Sequence, residues 1–297
     1  MNRPFGGAMA GMLAVATVLA AAAWAADPAG QTYTLRYRFH PGETLRWEVE
    51  HRTRVRNSVS GTTETLETCS RSLKVWRVEE VRPDGQATFE HSVAWLEMRQ
   101  KVGDRDEVRY DSRSGAKPPA CFAGMDKTVG VPLAVITMDA AGKILKRRRH
   151  DPVAMPHNDG SMTIPLPEQP VPVGYTWSHP EEIDVPLETG GIKKIQAIQQ
   201  YTLEEVETGV ATIQVSTDII TPVSEPAIEV KLVQRESHGR VRFDLDAGRV
   251  LSQEIDIDKH VVGFRGYASS IHYVNRFCEH LQSPEVKTAE NARARRQ

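Results

Sequence analysis

From Tyr33 to Val55 apolar and polar residues alternate one by one on both sides of a Pro41-Gly42-Glu43 turn. Tyr33, Leu35, Tyr37 and Phe39 precede the turn, and Leu45, Trp47, Val49, His51, Thr53 and Val55 follow it, with Arg36, Arg38, Arg46, Glu48, Glu50, Arg52, Arg54 and Arg56 among the residues between and after. A strand turns successive side chains to opposite faces, so a period of two lays all the apolar groups on one side. A helix, at 100° per residue, would scatter the same groups around its whole cylinder, which excludes it here. The pattern predicts a β-hairpin with one buried face.

The same signal recurs along the chain. Leu73 to Val81, the turn Arg82-Pro83-Asp84-Gly85, and Ala87, Phe89, His91, Val93 and Trp95 predict a second hairpin. The alternation fails between 111 and 130, where Ser114-Gly115 and Pro118-Pro119 mark a loop with room for a short helix near 121–129. Residues 131–138, the turn Asp139-Ala140-Ala141-Gly142 and residues 143–148 predict a third strand pair. Six prolines between 151 and 172 cannot donate ladder hydrogen bonds and predict an extended, solvated linker. After it the order of signals returns. Gly174-Tyr175-Thr176-Trp177 echoes Gly42-Glu43-Thr44-Leu45, Leu203 to Ile213 echoes Val78 to Phe89, and Asp246-Ala247-Gly248 echoes the turn at Asp139. Three echoes in one order point to an internal duplication. Residues 268–281 carry both a helical stripe and a strand alternation, with β-branched and aromatic content favouring strand.

Arg3 stands before an apolar run that ends in Ala23-Trp24-Ala25, which reads as a signal peptide cut after Ala25. Its strongly hydrophobic part is short of the roughly 20 residues that span a bilayer. The expectation is an exported protein, periplasmic or secreted, with no transmembrane segment in the mature chain. The domain plan is residues 1–25 signal peptide, 33–150 first antiparallel β unit, 151–172 Pro-rich linker, 173–281 second unit and 282–297 flexible tail. The fold class is all-β: two related antiparallel sheet units, as curled sheets, half-barrels or a sandwich, with at most one short helix.

Of 37 basic residues the signal removes Arg3, leaving 36 against 39 acidic ones, a balance of −3. Nucleic acid recognition needs a strongly basic face, so nucleic acid is excluded as a partner. Cys69, Cys121 and Cys278 form no C-x-x-C, which removes redox and zinc motifs and leaves their pairing open. The ten histidines have no i,i+2 or i,i+4 spacing, though His51 and His91 fall on the apolar faces of their strands. Asp244 to Gly248 and Asp256-Ile257-Asp258 resemble fragments of calcium loops but lack the run of oxygen ligands and the closing Glu. No nucleophile elbow, phosphate loop or dinucleotide fingerprint is present. No catalytic, cofactor-binding or metal residues are therefore assigned, no cofactor is expected, and the chain is read as a non-enzyme. The arginines of the first hairpin suggest a solvated sheet face or a surface for an anionic envelope component. Trp47, Phe89 and Trp95 suggest packed core or, if the sheet curls without closing, the lining of an apolar cavity.

The signal peptide, the G-x-x-[LW] hairpins, the E-E-V-x-x-x-G-x-A-T turn of Glu79 to Thr88 and the D-x-x-G-[KR]-[IV]-L turn of Asp139 to Leu145 resemble a group of uncharacterised exported all-β bacterial proteins, a domain of unknown function. More distantly, curled antiparallel sheets of this kind are similar to the lipoprotein-carrier architecture, which implies an apolar ligand. The functional expectation is an exported non-catalytic β protein with a binding or structural role at the cell envelope. The alternative is a carrier of an apolar ligand or lipid in a curled-sheet cavity, and third comes a hydrolase with a dispersed site.

Overall fold

The computed structural model describes residues 30–150 and 163–282. The signal peptide read over 1–25, most of the 282–297 tail and the first part of the linker lie outside the described residues. Among those residues the fold is all-β. The strands are β1 (Thr32–Tyr33), β2 (Thr44–Val59), β3 (Thr62–Val81), β4 (Ala87–Val102), β5 (Val108–Asp111), β6 (Pro132–Met138), β7 (Ile144–Arg149), β8 (Val171–Pro172), β9 (Thr176–Pro186), β10 (Ile192–Glu207), β11 (Val210–Ile219), β12 (Ser237–Asp244), β13 (Arg249–Val262) and β14 (Ser269–Leu281). Helix is confined to one turn, α1 (Pro226–Glu229), and to short 3-10 turns.

One open antiparallel sheet runs β7-β6-β4-β3-β2-β14-β13-β12-β11-β10-β9, with β5 also paired to β4, while β1 and β8 form a small pair of their own. Its edges, β7 and β9, do not pair with each other, so the sheet does not close into a barrel. Residues 33–150 and 173–281 are two stretches of this one sheet, joined edge to edge where β2 pairs with β14. The ambiguous segment at 268–281 is that joining strand.

Both stretches repeat the same neighbour order, β2-β3-β4-β6-β7 and β9-β10-β11-β12-β13. The irregularities match too. The β3–β4 ladder shifts register between Val78 and Glu80, and the β10–β11 ladder between Leu203 and Glu205. Gly42 N donates to Val78 O at 3.0 Å, as Gly174 N donates to Leu203 O at 2.7 Å. Register makes Met138 the counterpart of Phe243, because they pair with Ala87 and Ala211. The counterpart of Asp139 is therefore Asp244 rather than Asp246, and the second turn is one residue longer. Asp139 Oδ1 accepts from the backbone N–H groups of Ala141 and Lys143, and Asp244 Oδ1 from those of Asp246 and Ala247. Such Asx bonds are why a turn selects Asp.

The hairpin predicted across Pro41-Gly42 is absent. Leu35, Tyr37 and Phe39 do alternate inward and are buried, but β2 pairs with β3 and β14 instead. The 34–40 segment runs inside the curl: Tyr37 N donates to Ala140 O and Arg38 N to Gly248 O, so the two aspartate turns cradle it. Ile164, Leu166 and Val171 join the same core, so the described end of the Pro-rich segment is largely buried over 163–167 and at Val171, while 168–170 and Pro172 are exposed. Proline removes one ladder donor but forbids neither pairing, since Pro172 lies opposite Thr32, nor burial. The Tyr37 hydroxyl accepts from Ile164 N at 3.1 Å, and burial raises its pKa well above the usual phenol value. Around this plug pack Trp47, Trp76, Phe89 and Ile136 from one stretch and Leu203, Ile213, Val241 and Phe243 from the other.

Candidate functional site

Beyond the plug the inner faces of the strands separate and enclose an open cavity of about 530 Å³. Because strands alternate, each contributes every second residue: Val49 and His51 from β2, Lys74 from β3, His91 and Val93 from β4, Val215 and Thr217 from β11, Ile255 and Ile257 from β13, and Tyr273, Asn275, Phe277 and Glu279 from β14. Both stretches of the sheet build it. Its wall is mixed: Val49, Val93, Leu133, Val215, Ile255, Ile257 and Phe277 are apolar, while residues such as His51, Lys74, Lys127, Arg147, Gln199, Gln253 and Asn275 are polar or charged.

One buried polar cluster stands where the cavity meets the plug. Lys74 and Glu279 form an ion pair whose side chains are 14% and 2% exposed. The ammonium also lies 4.6 Å from the centre of the Trp47 ring and 4.8 Å from that of Trp76, a cation–π contact on two faces. Gln253 Nε2 donates to the other oxygen of Glu279. His91, 8% exposed, sits cross-strand from Trp76. The backbone of Val75 lies close to the ring, and Nδ1 has no hydrogen-bond partner among the described residues. Burial, then the nearby charges of Lys74 and Arg147, push its pKa down to about 3. Further along the wall His51 meets the Asn275 amide at 2.5 Å, and burial holds its pKa below the usual histidine range.

These histidines make stability acid-sensitive. His91 binds a proton near pH 6.5 when unfolded and near pH 3 when folded, so between those values the unfolded state holds more protons. The unfolding free energy is expected to fall by roughly 1.4 kcal/mol per pH unit on acidification through this window from His91 alone. Urea titrations from pH 7 to pH 4 check this: His91→Leu should flatten the slope, and an unchanged slope would contradict the assignment.

The sequence-derived candidates are dispersed. Trp47 and Phe89 are in the packed core rather than the cavity wall, and Trp95 lies apart, 4.4 Å from the guanidinium of Arg113. The arginines do not form one basic face. Arg36 bonds the carbonyls of Pro167 and Glu168, Arg38 that of Asp246, and Arg52 and Arg54 pair with Glu50 and Glu67. Asp256 and Asp258 are taken by Arg276 and His272. Among the described residues no group of three or more His, Cys, Asp or Glu is placed to hold a metal ion. Cys69, Cys121 and Cys278 are all free. Cys69 and Cys278 flank β2 on opposite sides, opposite Arg52 and Glu50, so two strand spacings of about 4.8 Å each plus a two-residue offset hold them beyond disulfide reach. No helix of the described residues is long and apolar enough to cross a membrane.

No family model matches the chain, and no curated protein matches it. A solved structure of lipovitellin, described for its lipid–protein interactions, is similar over 85% of this chain, with 12% sequence identity and a TM-score of 0.44. This chain spans 27% of that lipovitellin chain.

Proposed function

We propose that this chain is an exported, non-catalytic carrier that holds one apolar chain-like ligand inside its curled sheet. The observation that supports this reading is the cavity of about 530 Å³, within the roughly 300–1,000 Å³ of small-molecule sites. Val49, Val93, Val215, Ile255, Ile257 and Phe277 give its wall an apolar surface that a hydrocarbon chain would remove from water. The envelope-interaction reading is weaker, because Arg36, Arg38, Arg52 and Arg54, four of the six arginines expected to form a basic face, are engaged by carbonyls or carboxylates.

Displacement of a fluorescent fatty-acid probe by saturated chains of increasing length tests the proposal. Each added methylene is expected to tighten binding about fourfold until the cavity is full, since burial of one contributes about 0.8 kcal/mol. Val49→Trp, which adds an indole to the wall, should weaken every member of the series while leaving the melting temperature nearly unchanged. Affinity that is independent of chain length, or untouched by Val49→Trp, would remove the proposal.

A further inference from the structure

We propose that the carried ligand is a single-chain amphiphile with an uncharged, hydrogen-bonding head such as a hydroxyl or primary amide, and that the head seats on a polar row of the cavity wall formed by Gln199, Thr217, Ser237 and Asn275. This rests on the carrier reading and deepens it.

The row follows from register. Gln199 lies opposite Thr217, and Thr217 opposite Ser237. His238 opposite Asp256 sets Ser237 beside Ile257, and Ile257 lies opposite Asn275. Four uncharged polar side chains therefore stand at one level of the curl, and all of them line the cavity. On the same strands the next level towards the plug holds Tyr201, Val215, Gly239, Ile255 and Phe277, a surface suited to the ligand's hydrocarbon.

The polar groups of the row are only partly used. Asn275 is 5% exposed, and its amide nitrogen is engaged by His51 and Thr53. Its carbonyl oxygen has no hydrogen-bond partner among the described residues and is not closed off from solvent. Gln199 Oε1 accepts from the Tyr201 hydroxyl, which leaves the amide N–H groups of Gln199 to the cavity. Ser237 Oγ donates to Thr217 Oγ1 at 3.3 Å. The row thus offers an acceptor at Asn275 and a donor at Gln199.

Charge points the same way. Glu279 is the one carboxylate of the lining, and Lys74 and Gln253 engage it. Arg147 and Arg149 are not free, and Lys127 is exposed to water. Burial lowers the pKa of both His51 and His91, so neither ring is charged at neutral pH. An ionised head would lose its hydration without gaining a counter-ion, which is costly. A hydroxyl or amide exchanges its bonds to water for bonds to the row.

The test uses the whole protein at mildly alkaline pH and four probes of equal chain length: dodecanol, dodecanamide, lauric acid and 1-chlorododecane, whose head hydrogen-bonds poorly. Each displaces the same fluorescent reporter. Dodecanol and dodecanamide are expected to bind about tenfold more tightly than laurate, which keeps only the contribution of its tail. In Asn275→Leu the affinity of dodecanol relative to 1-chlorododecane should fall about fivefold, the scale of one hydrogen bond, while 1-chlorododecane itself binds as before. Thr217→Val, nearly isosteric, should lower the same ratio and carries the test if Asn275→Leu does not fold. Laurate binding as tightly as dodecanol, or a ratio unchanged in the folded variants, would overturn the head assignment and leave the carrier reading standing. Failure of the reporter and all four compounds to bind would overturn both.

Discussion

Replacing Gly248 by valine is expected to lower the unfolding free energy by about 3 kcal/mol or more, from added strain and overpacking. Gly248 has φ +62°, a region that β-branched residues avoid. Space is the larger obstacle. A Cβ built there would lie 2.6 Å from both the carbonyl oxygen of Arg36 and the amide nitrogen of Arg38. Both are backbone atoms of the segment that plugs the core, and Arg38 N donates to Gly248 O at 2.9 Å, so neither can retreat without withdrawing Leu35, Tyr37 and Phe39. Gly61 supplies the control. Its φ is +83° but a Cβ there meets nothing within 4 Å, so Gly61→Ala should cost only about 1 kcal/mol of backbone strain. Denaturant unfolding of the two variants measures the difference; equal losses would show that the turn does not cradle the plug.

Trp47→Ala is expected to cost about 3–5 kcal/mol, as for other buried large-to-small changes. Trp47 is 3% exposed, packs edge-on to Trp76 with ring centres 4.8 Å apart, and donates from Nε1 to Val250 O at 3.1 Å. Removing the indole leaves a void, strands the Val250 carbonyl and takes away one of the two rings under the Lys74 ammonium. In a domain of this size the melting temperature should fall by roughly 6–20 °C. Because Trp47 belongs to the core side of the plug, the folded variant should still take up an apolar probe. Loss of uptake without loss of stability would move Trp47 into the cavity wall.

What the sequence makes legible is which side of a strand faces inward. Leu45, Trp47, Ala87 and Phe89 were readable as buried because their alternation is one of apolar against polar. Alternation reports burial, not partners, so Leu35, Tyr37 and Phe39 read equally well as a hairpin strand when they are a plug. The longest hairpin, β2 to β3 across Ser60 and Gly61, gave no such signal, because residues 57–72 are rich in Thr, Ser and Glu. The repeated order of turns was readable from turn chemistry, since glycine and aspartate are selected by backbone geometry, but the equivalence of Asp139 with Asp244 needed the register. The cavity could not be read at all. Its wall takes between one and four residues from each of many strands between Val49 and Glu279, and Lys74 and Glu279 at inward positions look in sequence like any charged residue on a strand face.

The carrier proposed above requires that the interior of the open sheet bind one apolar chain. Native mass spectrometry of the folded protein, incubated with a small excess of palmitic acid, tests this most directly. A single added mass per chain is expected, diminished in Val49→Trp and retained in a surface control such as Arg54→Ala. No added mass, or a ladder of several that Val49→Trp leaves unchanged, would contradict it.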